Sequence, residues 1–298
     1  MMDVFSTLIT ADELHRRLGA PGWSLVDWRI VDCRFELANT AAGRRAYADG
    51  HVPGALYAHL DDDLSGPVTP ESGRHPLPRV EQFAATLGRF GIANDTRGNE
   101  TQVICYDDSS GAIAARLWWM LRWLGHTRVA VLDGGIKAWK EAGYPLEQGQ
   151  AAHPAAARFE PRARDAWLTT SQVEAALSSG SIALIDARAG DRFEGRNETI
   201  DNRAGHVPGA LSQPYANNLD AGGRFLPPAE LRRRWNATLG ERADRMVSMC
   251  GSGVTACHNL LALEVAGLPA GRLYAGSWSE WIRDPRRPIA IGTTATGR

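Results

Sequence analysis

The sequence predicts two α/β domains in tandem, each a central parallel sheet with helices on both faces. Three observations support this fold class. The chain has 298 residues, about twice the length of an ordinary domain. Short apolar runs alternate with helical patterns along it, which is typical of parallel sheets joined by crossover helices. Several segments recur in the same order about 155 residues apart, which indicates a duplicated domain rather than a solenoid.

The repeat is clearest in one heptapeptide. "GHVPGAL" stands at 50–56 and again, letter for letter, at 205–211. Three looser pairs are 31–34 with 185–188 ("VDCR", "IDAR"), 75–88 with 224–240, and 132–139 with 274–281. We therefore predict a first domain at 1–146, a linker rich in alanine at 147–166, and a second domain at 167–298.

The elements follow from apolar runs and from helix signals. A strand-like start precedes a capped helix at 10–18. The other predicted strands are 24–34, 101–107, 128–135, 182–188 and 245–251, and the other predicted helices are 79–91, 114–125 and 255–267. In sheets of this kind, functional sites lie beyond the carboxyl ends of the strands.

The composition bounds the function. A net charge of −1, with 44% hydrophobic and 22% charged residues, describes an ordinary globular protein. It gives no overall field for nucleic acid or an anionic membrane. No apolar run approaches the ~20 residues that cross a bilayer, and the start lacks a secretory signal, so we expect a cytoplasmic protein. The four cysteines match no zinc or disulfide pattern, and we expect neither a metal nor an organic cofactor.

Cys250 is the strongest candidate for chemistry. It follows a predicted strand directly and precedes a glycine-bearing turn and a helix. Backbone N–H groups of such a turn, together with the positive end of the helix, stabilise a thiolate and make it a nucleophile. The strand register places Asp107 at the corresponding position of the first half. We therefore expect an active second domain and an inactive first one.

Two other interpretations of Cys250 need weighing. A free cysteine at a tight turn is often a small buried residue with no chemistry. A cysteine phosphatase also places its thiol between a strand and a helix, but it grips phosphate with an arginine six residues on. Position 256 is alanine here, and residues 250–256 carry no cation. The phosphatase interpretation is therefore discounted.

The repeat, the "GHVPGA" pair, "LDGG…W" and the loop "CGSGVTA" together resemble the rhodanese superfamily, and within it the two-domain sulfurtransferases. The resemblance covers about residues 5–290. It implies a rhodanese fold in each half, an inactive N-terminal domain and a persulfide carried on Cys250. Family members that prefer 3-mercaptopyruvate carry "CGSGVT", as here, whereas those that prefer thiosulfate carry "CRKGVT". A neutral loop suits a donor whose charge lies on a carboxylate away from the sulfur.

The resemblance also implies roles for further residues. The catalytic set would be Cys250, Ser252, His75 and Asp61, and the anion-binding set would be Gly251, Gly253, Val254, Thr255 and Arg192. Because His75 and Asp61 come from the first half, the site is expected between the domains. The family's second substrate arginine has no clear counterpart, and Arg196 and Arg203 are the candidates to replace it. This departure leaves thiosulfate open as a donor.

The remaining prominent residues have structural explanations. Arg188 is expected to pair with a carboxylate under the loop. His51 and His206 recur in both halves, so turn hydrogen bonds are expected of them rather than metal binding. Cys257 is expected to pack within its helix, with a redox role left open.

The sequence therefore predicts a sulfurtransferase that moves sulfur from 3-mercaptopyruvate to a thiol acceptor, such as thioredoxin, or to cyanide. Two alternatives remain open. One is a thiosulfate sulfurtransferase with the same persulfide mechanism. The other is a persulfide carrier or partner-binding module that does not turn over.

Overall fold

The computed structural model describes residues 4–20, 24, 27–94, 100–152 and 154–293. Two predicted segments fall partly outside this range. Leu25 and Val26 of the predicted strand at 24–34, and residue 153 of the predicted linker, lie outside the described residues.

The two halves of the chain repeat one series of elements. In the first half the strands are β1 (Leu8–Ile9), β2 (Trp28–Asp32), β3 (Ala55–Tyr57), β4 (Gln102–Tyr106) and β5 (Val129–Leu132), and the helices are α1 (Ala11–Leu18), α2 (Ala42–Asp49), α3 (Val80–Arg89), α4 (Ala114–Trp123) and α5 (Gly135–Glu141). In the second half the strands are β6 (Trp167–Leu168), β7 (Ala183–Asp186), β8 (Leu211–Ser212), β9 (Met246–Met249) and β10 (Arg272–Tyr274), and the helices are α6 (Thr170–Ser178), α7 (Gly190–Phe193), α8 (Pro228–Leu239), α9 (Ala256–Val265) and α10 (Ser277–Trp281). Two 3₁₀ turns, Tyr215–Asn218 and Gly240–Arg245, flank α8.

Each half forms one five-stranded parallel sheet among the described residues. The strand orders are β1-β5-β4-β2-β3 and β6-β10-β9-β7-β8, so the two sheets have the same topology. All neighbouring strands pair in parallel. The predicted fold class, tandem α/β domains with parallel sheets, is confirmed.

The central strands are buried along their whole length, and apolar residues predominate in them. Every residue of β2, β4, β5 and β9 is buried. A strand covered on both faces has no polar side and shows no alternation. The predicted capped helix is also present, because the Thr10 side chain accepts a hydrogen bond from the Glu13 N–H at the start of α1.

The described chain divides into two compact units that exchange short segments. The first unit runs to Gly66, resumes from Pro78 to Asp165, and includes Ala221–Arg224. The second unit contains the remainder, including Pro67–Leu77 from the first half. In sequence, Gly73-Arg74-His75 corresponds to Gly223-Arg224-Phe225. Equivalent loops are therefore exchanged in both directions.

The recurring Asp-x-Arg tripeptide holds the next loop of each half. Arg188 binds the Asp186 carboxylate through Nε and Nη2 and donates to the Gly205 carbonyl at 2.7 Å. Arg34 makes the same contacts with Asp32 and with the Gly50 carbonyl, at 2.8 Å. The pairing expected of Arg188 is thus present, and it anchors the "GHVPGA" turn.

None of the helices in the described part of the chain combines the length and the hydropathy that crossing a bilayer requires.

Candidate active site

Cys250 lies at the end of β9, where three hydrogen bonds fix the backbone. Its N–H donates to Ser277 Oγ at 3.1 Å, and its carbonyl accepts from the Trp278 N–H at 3.0 Å. The Gly251 carbonyl accepts from the Ser279 N–H at 2.9 Å. The side chain is 2% exposed. The thiol therefore lies at the carboxyl edge of the sheet, where the sequence places it, and it is buried there.

The loop from Gly251 to Thr255 turns the chain into α9. Gly253 has φ +76°, and a side chain there would collide with the Ala275 carbonyl oxygen, so glycine is needed for both reasons. The N–H groups of Gly251, Ser252, Val254 and Thr255 hold no hydrogen bond to another described residue. Several N–H groups without an acceptor beside a thiol form a binding place for anionic sulfur.

The corresponding loop of the first half shows what such N–H groups do when an anion is built in. Asp32 pairs with Tyr106, and Asp186 pairs with Met249, so Asp107 and Cys250 follow equivalent strand ends. The Asp107 carboxylate accepts four backbone N–H groups at 2.7–2.8 Å. The donors are those of Ser109, Gly111, Ile113 and Ala114. A permanent carboxylate thus binds the N–H groups of the first loop, whereas the second loop begins with a thiol.

Ser252 and His75 form a hydrogen-bonded pair beside Cys250. Ser252 Oγ lies 2.7 Å from His75 Nδ1, and both residues are buried. His75 belongs to Pro67–Leu77, so it lies in the same compact unit as the Cys250 loop. The pair can pass a proton between a bound thiol and the imidazole, because a hydroxyl both donates and accepts.

Asp61, the other predicted member of the catalytic set, lies beyond β3 in the first unit and is exposed. Partial burial raises the pKa of its carboxyl, and the neighbouring His59 opposes that shift. Its role at the Cys250 loop stays a prediction.

Arg192 lies in α7 and is held by two carboxylates. Its Nη2 is 2.8 Å from Glu198 Oε1 and 3.1 Å from Asp201 Oδ2. Burial alone would raise the pKa of Glu198, but hydrogen bonds from Arg192 and from two backbone N–H groups leave that pKa lowered. Glu198 is therefore an anion at neutral pH, and it fixes the orientation of the guanidinium.

Arg74 is the residue that sequence reasoning missed. Its Nη2 lies 2.9 Å from the position that a Cβ on Gly251 would take, and both Nη atoms of Arg192 lie 3.8 Å from the same point. Arg74 Nη1 also pairs with Asp201. The available signal was the tripeptide "GRH", which returns as "GRF" at Gly223-Arg224-Phe225: the arginine is common to both segments, and the histidine is not.

The two arginines considered as replacements lie elsewhere. Arg196 pairs with Glu194 at the surface and is 67% exposed in its side chain. The Arg203 carbonyl accepts from Trp278 Nε1 at 3.0 Å. The three atoms nearest to a Cβ on Gly251 belong to Arg74 and Arg192, and to neither of these residues.

The cysteine and the histidines given structural explanations make local contacts. Cys257 is buried in α9, and its Sγ donates to the Gly253 carbonyl at 3.4 Å, so it supports the loop. His51 Nδ1 lies 2.8 Å from the Tyr47 carbonyl oxygen, and His206 Nδ1 lies 2.8 Å from that of Phe193. Each imidazole also stacks on the ring of that same residue. These are the backbone contacts expected from their recurrence.

A cavity of about 370 Å³ opens beside the loop within the second unit. Arg74, Asp201 and Ser279 line it, together with Ile282 and Arg283. Two of its lining residues also lie against Gly251: the Ser279 N–H donates to the Gly251 carbonyl, and Arg74 Nη2 lies 2.9 Å from the position of a Cβ on Gly251.

Known proteins share this architecture and sequence. The rhodanese-like domain family matches residues 10–142 and 169–284. A "Probable 3-mercaptopyruvate sulfurtransferase" of Pseudomonas aeruginosa is 47% identical over 289 residues, covering 96% of this chain and 98% of that protein. The rat thiosulfate sulfurtransferase is 33% identical over 275 residues, covering 90% of this chain and 88% of that protein.

A solved structure agrees with the sequence relatives. The 3-mercaptopyruvate sulfurtransferase from Leishmania major superposes with a TM-score of 0.81 at 32% identity, over 94% of this chain and 76% of that one. Two family matches, two sheets of one topology and full-length relatives lead to one conclusion: the chain is a tandem-domain member of the rhodanese family of sulfurtransferases.

Proposed function

We propose that this protein transfers a sulfane sulfur from 3-mercaptopyruvate to a thiol or to cyanide through a persulfide on Cys250. The contrast between the two loops carries the proposal. Asp107 satisfies four N–H groups in the first half, whereas four N–H groups around Cys250 have no acceptor among the described residues. A thiolate, and then a persulfide anion, supplies the acceptor that the second loop lacks.

The sulfur transfer is balanced without an external oxidant. The Cys250 thiolate attacks the donor sulfur, an S–S bond forms, and the C–S bond breaks. The electron pair of that bond leaves on the methylene carbon of pyruvate. The proton of the donor thiol passes to Ser252 and His75 and is returned to that carbon, so pyruvate is released and Cys250 keeps the persulfide.

The second half-reaction regenerates the thiolate. A nucleophilic acceptor attacks the outer persulfide sulfur, and the Cys250 sulfur leaves as an anion in the N–H-lined loop. Cyanide becomes thiocyanate in this step, and a thiol becomes a persulfide. We propose a small dithiol protein such as thioredoxin as the acceptor, and the reducing cytoplasm as the setting. The four free cysteines support that setting.

The two alternatives keep specific support. A thiosulfate donor fits the rat relative: its S–S bond would break as the same persulfide forms on Cys250, and sulfite would leave. The neutral side chains of Gly251 and Ser252 favour the carboxylate donor over it. A carrier that loads once would show a single stoichiometric release of pyruvate, whereas an enzyme continues while cyanide is supplied.

Cys250→Ser tests the proposal, with Cys257→Ser, in the first turn of α9, as the matched control. We expect Cys250→Ser to abolish pyruvate release from 3-mercaptopyruvate and to lose the one-sulfur mass increase seen when the intact protein meets the donor alone. Cys257→Ser should keep both, because its thiol donates to the Gly253 carbonyl and a serine hydroxyl can do the same. Appreciable pyruvate release by Cys250→Ser would refute the mechanism.

A further inference from the structure

Ser277, the first residue of α10, has a backbone conformation that serine seldom adopts. Its φ is +53°, in the left-handed region, and the residue is fully buried. In the described part of the chain, Ser110 is the one other residue that has a positive φ without being glycine. Such a conformation costs free energy and persists where the surrounding structure compensates for it, most often at functional sites. The contacts of Ser277 should therefore show what compensates for it.

The first half shows that the turn itself does not require a serine. Gly135 occupies the position of Ser277 in the recurring segment, begins α5 and has φ +59°. The N–H that follows makes the same contact in both halves, because it donates to the Asp107 carbonyl at 2.9 Å and to the Cys250 carbonyl at 3.0 Å. A Cβ on Gly135 would collide with the Asp107 carbonyl oxygen. The second half thus makes room for a side chain that the turn can form without.

The Ser277 hydroxyl joins the thiol-bearing residue to the end of β10. Its Oγ accepts the Cys250 N–H at 3.1 Å and donates to the Tyr274 carbonyl at 2.8 Å. The hydroxyl has one proton, which Tyr274 takes, so a lone pair is left for Cys250. Without the hydroxyl this buried N–H loses its acceptor, which costs free energy. The hydrogen bond therefore compensates for the left-handed backbone.

The same hydrogen bond fixes the point from which the thiol projects. The N–H of Cys250 is bound by Ser277 and its carbonyl by the Trp278 N–H, so two adjacent residues hold the peptide groups on both sides of its Cα. The loop that follows has four N–H groups without an acceptor among the described residues. Hydrogen bonds weaken steeply with distance and angle, so an anionic sulfur gains from these donors only while the Cα stays in place.

We propose that Ser277 is a positioning residue for Cys250, whose hydroxyl holds the Cys250 backbone so that the sulfur stays within reach of the loop N–H groups. The buried hydroxyl acts through the backbone and not on the donor. Its effect therefore belongs to the reaction of the sulfur rather than to the binding of the donor. The part of this inference that concerns the persulfide rests on the proposed function, and the part that concerns the thiolate does not.

Ser277→Gly and Ser277→Ala separate positioning from folding. Both remove the hydroxyl, but only glycine relieves the left-handed backbone, so the melting temperature should be higher for Ser277→Gly than for Ser277→Ala. We expect kcat for pyruvate release from 3-mercaptopyruvate, with cyanide as acceptor, to fall about 3- to 10-fold in both variants at unchanged KM, because each loses one hydrogen bond. Wild-type kcat in Ser277→Gly, or a rise in KM alone, would make Ser277 a purely structural residue.

Two control variants each reproduce one part of the change. Ser110→Gly relieves the other left-handed serine, and Ser248→Ala removes a buried hydroxyl that donates to the Ala256 carbonyl at 2.9 Å. Ser248→Ala should lower the melting temperature. Both variants should keep the wild-type kcat, because the Cys250 N–H donates to Ser277 and to neither of these serines. If Ser248→Ala loses as much kcat as Ser277→Ala does, the loss is not specific to Ser277 and the proposal is wrong.

Alkylation of Cys250 supplies a measurement that needs no sulfur donor. The rate of reaction with iodoacetamide across a range of pH, located on Cys250 by peptide mass, follows the ionised thiol. In Ser277→Gly the midpoint of this profile should move to higher pH, because a displaced thiolate gains less from the loop N–H groups, whereas Ser248→Ala should keep the wild-type midpoint. If the wild type never releases pyruvate but Ser277→Gly still shifts the midpoint, the positioning role stands and the proposed function falls. An unshifted midpoint in Ser277→Gly would overturn the positioning role, whatever the kinetics show.

Discussion

At the scale of single residues, the two halves differ most at one pair of equivalent positions. Asp107 is fully buried, and each of its carboxylate oxygens accepts two N–H groups. Burial raises the pKa of this carboxyl, and the N–H donors oppose the shift. Because both oxygens accept N–H groups, a proton on either oxygen would face donors and would have no acceptor. The Asp107 carboxylate therefore serves as a built-in anion for the N–H groups of the first loop.

Asp107→Asn tests that description. The amide group would turn a donor toward two N–H groups, so we expect the free energy of unfolding to fall by about 2–4 kcal/mol. Asp108→Asn, the exposed neighbour, should change it by less than about 0.5 kcal/mol. Denaturant unfolding measures both. Sulfur transfer at low denaturant should be unchanged in both variants, and a lost activity in Asp107→Asn would show that the first loop takes part in the chemistry.

Residue identities in the site were partly predictable for a physical reason. The local sequence around Cys250, an apolar strand followed by a cysteine and a turn of small residues, is enough to predict where the thiol and its loop lie. Arg74 could not be found in this way. Its importance depends on a contact across more than a hundred residues of chain, and an arginine in a loop carries no local sign of what it touches.

At the scale of elements, the turn between β9 and α9 depends on one glycine. Gly253 combines a positive φ with close approach of the Ala275 backbone to the space that a Cβ would need. Gly180, after α6, has φ +65°, and no atom lies within 4 Å of the position that a Cβ would take there. The two positions share the backbone requirement and differ only in the space available.

Gly253→Ala should therefore cost more than Gly180→Ala. We expect about 1 kcal/mol for Gly180→Ala, from the left-handed backbone alone, and at least twice that for Gly253→Ala. Gly253→Ala should also lose most of its sulfurtransferase activity, since the collision moves the N–H groups beside Cys250. Melting temperature and pyruvate release measure the two effects. Equal losses of stability in Gly253→Ala and Gly180→Ala would show that the Ala275 backbone moves aside at little cost in free energy.

Element prediction succeeded where segments were long and apolar. The strands β2, β4, β5, β7 and β9 and the helices α3, α4 and α9 lie within the predicted segments. The strands β3, β6, β8 and β10 have two or three residues each, too few for any periodicity to show. They form because an adjacent strand supplies backbone hydrogen-bond partners. The sequence of so short a segment does not show that such a neighbour exists.

At the scale of the whole molecule, stability depends on pH through a buried histidine. His126 lies with Nδ1 3.5 Å from Glu100 Oε1 and beside the Phe159 ring. Burial lowers its pKa to about 4, although the Glu100 carboxylate opposes that shift. In the unfolded chain the same imidazole titrates near ~6.5. Between these values the unfolded state binds more protons, so stability falls as pH drops from about 6.5 to about 4.

His126→Phe removes this titration. We expect the variant to lose less stability than the wild type over that interval, because a phenyl ring has no proton to take up. Thermal unfolding followed every half pH unit, with both proteins compared with their own values at about pH 8, gives the two slopes. If the slopes are the same, His126 does not set the acid sensitivity.

The repeat revealed the molecule's architecture better than any single motif did. Equal topology in the two sheets follows from a duplication that the sequence shows in four segments. The local sequence of the exchanged segments does not show the exchange, because a loop's sequence does not say which neighbour it packs on. Only the family resemblance implied that His75 of the first half acts together with Cys250. The domain boundaries at 146 and 167 were drawn from composition, and they remain a prediction.

The exchanged loops limit how far the chain can be shortened. A gene fragment that encodes only residues 166–298 specifies Cys250 and Ser252 but neither Arg74 nor His75. Deleting the first half, or replacing it with an unrelated sequence, would therefore remove Arg74 and His75 from the surroundings of the Cys250 loop.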